Sequence, residues 1–186
     1  MRSFSERMQA RNLRQEKVRA EAILSRIETF HHAFLRRELP KLAPLVEKVA
    51  KVHIGQHPEL ADLSECFDSL RNRLEQSVHH EKTSLFPILR QLTSSSAGWE
   101  SDCDRLRRAT QVFLLKQEKI EFGTNALCRF SSDFTIPDDA CRSYQLMLEG
   151  LKGLHSHLDK ELKFEAVTLL PLLAAAVTPE FVKTRG

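Results

Sequence analysis

The chain has 186 residues, 41% of them hydrophobic and 28% charged, with six glycines and an aromatic content of 7% that is mostly Phe. That supplies one buried core and too few turn-forming Gly and strand-forming aromatics for a sheet-rich fold, so an all-α domain is expected. A net charge of +3 excludes a global field that would steer nucleic acid or an anionic membrane to the surface, and no apolar run approaches the ~20 residues of a membrane span.

The first 20 residues form a basic arm. Arg2, Arg7, Arg11, Arg14, Lys17 and Arg19 face only Glu6 and Glu16, and the segment reads as a solvated helical extension. It lacks the apolar stretch of a secretory signal, and the four cysteines (Cys66, Cys103, Cys128, Cys141) include no Cys-x-x-Cys pair. A cytoplasmic protein with reduced thiols is expected.

Residues 21–177 read as one four-helix unit, with 178–186 as a tail. Breaks at 54–58, 93–98 and 131–137 are rich in Gly, Pro and Ser, where a helix cannot continue cheaply. The first helix leaves the arm and ends near Val52, with a kink expected at Pro40 and Pro44. The second covers about 59–92, with Leu63, Phe67, Leu70, Leu74, Val78, Glu81, Leu85 and Ile88 at helical spacing. The third starts near Trp99, with Leu106, Val112, Leu115, Lys119, Phe122 and Ala126 as its stripe. The fourth starts near Pro137, where Asp138 and Asp139 suit a helix N-terminus, and carries Leu151, Leu154, Leu158, Glu161, Glu165, Leu169 and Leu172. Four such helices with short connections form an up-and-down bundle.

All four apolar stripes contain an ionisable residue. His32 lies among Leu24, Leu35 and Leu39, Glu81 follows Leu74 and Val78, Lys119 follows Leu115, and Glu161 and Glu165 interrupt the fourth stripe. Ionised side chains on a core face are costly unless paired or metal-bound, so the pattern points to a shared polar centre. His53 is 21 residues beyond His32, about 31 Å along a continuous helix, and belongs elsewhere. His157, one turn before Glu161, is the candidate for an extra ligand or a supporting partner. No Gly-rich phosphate loop, Ser-His-Asp set or catalytic Cys-His signature is present, so nothing points to hydrolase or kinase chemistry.

These residues lie in a recognisable order. His31-His32-Ala33-Phe34-Leu35-Arg36-Arg37-Glu38-Leu39-Pro40, Lys51-Val52-His53, Glu81 before Leu85-Phe86-Pro87, Glu118 through Gly123, Ala140-Cys141 and Glu165 before Leu169-Leu170-Pro171 make the chain resemble hemerythrin-like proteins. The resemblance is greatest to the di-iron branch linked to repair of iron–sulfur centres under nitrosative and oxidative stress. It implies a bundle core with two irons, one His from each helix and two bridging glutamates. Carried over residue by residue, the family's first His is His32 and the bridging pair is Glu81 and Glu165. The other three His positions hold Ser77, Lys119 and Glu161.

An intact di-iron centre is therefore not expected. The resemblance leaves a site for at most one iron, manganese or zinc ion on His32, Glu81, Glu161 and Glu165, with the Lys119 ammonium in place of the second metal's charge. The alternative is a metal-free interaction or regulatory module in which a Lys–Glu cluster replaces the metals. The expected partner is an unidentified protein rather than nucleic acid or membrane. The apolar third helix (Val112, Phe113, Leu114, Leu115) leaves a homodimer open.

Overall fold

A computed structural model of the chain describes residues 4–94 and 99–177. The tail at 178–186, most of the break at 93–98 and the side chains of Arg2, Arg7 and Arg11 lie outside the described residues. Arg14, Lys17 and Arg19 of the basic arm are exposed.

Among the described residues, six α-helices and two π-helical turns build four rods. Helix α1 (Phe4–Arg26) passes through a π-helical turn (Ile27–His31) into α2 (His32–His53); α3 (Glu59–His80) passes through a second such turn (Glu81–Leu85) into α4 (Phe86–Ser94). Helices α5 (Trp99–Phe130) and α6 (Arg142–Ala176) complete the set, and the described residues contain no strand. Helix α2 packs on α3 and α6, α3 on α5, α5 on α6 and α1 on α4, so consecutive rods are neighbours and the first also meets the last. This is the expected up-and-down four-helix bundle.

Helix α2 continues through Pro40 and Pro44, both of which sit on its solvent face. The carbonyls they leave without an amide partner can be hydrated there. The fourth rod begins at Arg142, later than the expected start near Pro137. Residues Ser132, Asp133 and Phe134 take left-handed φ angles of 48°, 56° and 60°, and the chain turns so that Phe134 enters the core. The Asp133 N–H donates to the Cys128 carbonyl at 2.9 Å, closing α5. Asp139, expected to favour a helix N-terminus, instead meets the His57 ring at 3.0 Å.

The core is divided. One apolar compartment gathers Leu35 to Val49, Leu60 to Leu74, Ile120, Leu127 and Tyr144 to Leu158; the other gathers Ala20 to Ile27, Leu85 to Leu92, Cys103 to Phe113 and Leu169 to Ala176. Between them in sequence on every rod lie polar residues: His31 and His32, Ser77 and Glu81, Gln117, Glu161 and Glu165. Both π-helical turns fall at this polar layer. Each closes with an amide reaching five residues back, His32 to Ile27 and Phe86 to Glu81, a local widening that often marks functional sites in helices.

Helices α2 and α6 approach closely at Gly150, where a Cβ would stand 2.5 Å from Leu42 Cδ2. At Gly153, one turn on, a Cβ would meet nothing within 4 Å. Gly153→Ala is therefore expected to stabilise the fold by about 0.5–1 kcal/mol, read as a higher urea midpoint, because it removes backbone freedom from the unfolded chain without a clash.

Candidate metal centre

Helical periodicity places the centre's side chains. On α6, Leu151, Leu154, Leu158, Glu161, Glu165 and Leu169 are all buried, following spacings of three and four. On the second rod the buried line is Leu70, Leu74, Ser77, Glu81 and Leu85. His32 is buried at the start of α2, and the π-helical turn before it buries its neighbour His31 too. On a regular helix adjacent residues diverge by about 100°, so two consecutive inward histidines are a product of that widened turn.

The polar layer is closed by short contacts. His32 Nε2 lies 2.7 Å from Glu81 Oε2, and the Ser77 hydroxyl donates to Glu81 Oε1 at 2.9 Å. Gln117 Nε2 donates to Glu165 Oε2 at 2.7 Å. Arg26 Nη1 donates to both oxygens of Glu161, at 2.8 and 3.1 Å, while its guanidinium carbon stands 3.4 Å from the centre of the Phe164 ring. His31 Nδ1 and His157 Nε2 are 3.0 Å apart. Two buried polar atoms of the layer are left over: His32 Nδ1 and Glu165 Oε1 have no hydrogen-bond partner among the described residues.

Lys119 does not join this layer. It is exposed, with its backbone carbonyl accepting from Arg73 Nη1 at 3.0 Å. The buried line of α5 runs through Leu106, Ala109, Phe113, Ile120, Thr124 and Leu127, and Gln117 falls on it four after Phe113 and three before Ile120. The expected stripe followed a second set of apolar residues, of which Leu115 and Phe122 are 58% and 65% exposed. The cation facing the acids is Arg26, from α1, and the third rod contributes an amide.

The charge balance is uneven. Three carboxylates, Glu81, Glu161 and Glu165, are buried. Burial, followed by the charges of Glu81 and Glu161, pushes Glu165 well above the usual carboxylate range. Burial also raises Glu161, opposed by Arg26. The two outer imidazoles move the other way. Burial, then the neighbouring rings and Arg26, lowers His31 to about 3; burial, then Arg26, Lys160 and Arg37, lowers His157 to about 4. Both rings are neutral at pH 7, the form that binds metal. Glu165→Gln, which mimics the protonated acid and keeps an oxygen for Gln117, is expected to raise the stability of the metal-free protein at pH 7, measured by urea unfolding.

One set of His, Cys, Asp or Glu donors among the described residues converges tightly: His31, His157 and Glu161 offer atoms all within 4.8 Å of one another. Of the expected donors, His32 and Glu81 touch, and Glu161 belongs to this second grouping. His31, Arg26 and Gln117 were not singled out in the sequence. Only Gln117 had a usable signal, its place on the true α5 stripe.

No protein-family model matches the chain. Curated relatives do. An iron–sulfur cluster repair protein ScdA from Staphylococcus epidermidis is 24% identical over 157 residues, covering 81% of this chain and 68% of the relative. A repair protein YtfE from Edwardsiella ictaluri is 27% identical over 147 residues (78% and 62%), and a repair protein DnrN from Neisseria gonorrhoeae 26% over 143 residues (74% and 84%). The chain is a relative of the iron–sulfur cluster repair proteins. The match agrees with the hemerythrin-like resemblance in the sequence and with the helical bundle. Among its described residues, His31, His157 and Glu161 are placed so that they could hold a metal ion. No helix among its described residues is long and apolar enough to cross a membrane.

Proposed function

We propose that this repair-protein relative acts in stress-linked metal-centre maintenance through a rebuilt core that takes one divalent metal ion rather than two, for which the sequence expects His32, Glu81, Glu161 and Glu165 as donors. The observation that carries this reading is three buried carboxylates in one layer, of which Glu161 is paired with the Arg26 guanidinium. Fully ionised, they sum to about −2; one divalent ion neutralises the layer, and protonation of Glu165 is what relieves it otherwise. The unpartnered Glu165 Oε1 supplies a lone pair of the kind a cation accepts.

The residues present do not fit two irons held in the family's manner. Ser77 has no ring nitrogen and is committed to Glu81, Lys119 is outside, Gln117 already occupies one oxygen of Glu165, and Arg26 occupies both of Glu161. Restoring nitrogen donors at inward positions tests this directly. Ser77→His combined with Gln117→His is expected to raise iron content by one ion per chain over the parent, measured by elemental analysis; Lys119→His should add nothing. Extra metal in the Lys119 variant would reverse the assignment of the α5 face.

A further inference from the structure

We propose that the seat of the single ion is the outer group of the polar layer, His31 Nδ1, His157 Nε2 and a Glu161 oxygen, and that in the metal-free protein the Arg26 guanidinium occupies it as a stand-in cation. This rests on the one-ion reading above but replaces its ligand set, since His31 and His157 are not positions that the family resemblance assigns to metal.

The geometry favours this group over the inner one. Its two nitrogens are 3.0 Å apart; ligand nitrogens at about 2.05 Å from a tetrahedral ion stand about 3.3 Å apart, so the pair opens only slightly to admit one. The rings are already held, His157 by stacking on Phe34 at 3.7 Å between centroids and His31 by lying parallel to His157 at 5.2 Å. The partners differ in how readily they yield: in the inner group the Glu81 oxygens are held by the buried His32 ring and Ser77 hydroxyl, whereas in the outer group Glu161 is held by the partly exposed Arg26 and the two ring nitrogens only by each other.

Two imidazoles with one carboxylate are a borderline-soft donor set that leaves coordination positions open, suited to Fe(II) or Zn(II) and poor for Ca(II) or Mg(II). Arg26 contacts both oxygens of Glu161 and its side chain is 38% exposed, so it can move aside when the ion arrives; the ion then balances Glu81 and Glu161, with Glu165 protonated.

The test is calorimetric titration of the full chain with Zn(II), and with Co(II) followed by its visible ligand-field bands, which report nitrogen ligation. The parent is expected to take one ion. His31→Gln with His157→Gln should weaken binding roughly 100-fold or more and alter the Co(II) bands, whereas Glu81→Gln and Glu165→Gln should change affinity by less than about threefold. Arg26→Met, which keeps the packing on Phe164, should tighten binding about tenfold by removing the competitor. This gain also guards against a His variant that fails simply by misfolding. Undiminished binding in the His double variant, with loss in the Glu81 or Glu165 variant, would overturn this seat and leave the one-ion reading standing. No tightening by Arg26→Met would overturn the stand-in role. No ion, or two ions, in the parent would overturn both.

Discussion

Taking the metal-free protein from pH 7 to pH 4.5 is expected to cost it roughly 2–3 kcal/mol of folding stability through His31 alone. His31 titrates near 6.5 when unfolded and near 3 when folded, so the unfolded chain binds a proton in this window that the folded chain refuses. A depressed folded pKa means stability present above 6.5 and lost as pH falls toward 3. His157, depressed to about 4 and half-buried, adds loss of the same sign. Glu165 works oppositely: its raised folded pKa gives stability that is complete below the ordinary carboxylate range and declines as pH rises. Urea unfolding at pH 7, 5.5 and 4.5 separates these groups. His31→Gln with His157→Gln should flatten the acid slope, and an unchanged slope would show that the rings are not buried neutral in the folded state.

Phe86→Ala should cost about 3–5 kcal/mol, measured by denaturant unfolding. The ring is fully buried, begins α4 where the second π-helical turn ends, and lies against the His32 ring with centroids 5.9 Å apart and planes within 10°. Its loss opens a cavity beside the polar layer, in the compartment formed by α1, α4, α5 and α6. Phe86→Leu keeps most of that volume and should cost about 1 kcal/mol. A loss below 1 kcal/mol for the Ala variant would mean that the site's wall collapses without penalty.

Much of this arrangement was legible in the sequence, because buried helix faces are written in spacings of three and four. The α6 line through Leu154, Leu158, Glu161, Glu165 and Leu169 is strict, and it placed two acids in the core without ambiguity. The α5 face was misread for a physical reason. Val112, Leu115 and Phe122 form an apolar stripe of their own on the solvent side, and hydrophobicity does not say which of two stripes turns inward. Lys119 went with the wrong one. Gln117, a neutral and half-buried residue on the correct stripe, carries no charge to mark it as part of a polar centre.

His31 and Arg26 were hidden by a different effect. Expected positions assumed regular α-helix throughout the first rod, and the π-helical turn at Ile27–His31 shifts everything before it relative to everything after. Periodicity across such a turn cannot place Arg26 over Glu161, 135 residues away in sequence. Likewise three successive left-handed residues after α5 delayed the fourth rod, a turn that Ser-Ser-Asp-Phe-Thr suggests only as a break.

The most direct measurement is the number of metal ions per chain in protein purified after growth with ample iron, zinc and manganese, taken together with its optical spectrum. A rebuilt core predicts one ion per chain and no oxo-bridged iron band. Two irons with that band would contradict it, as would a chain that stays empty after reconstitution with Fe(II) and Zn(II).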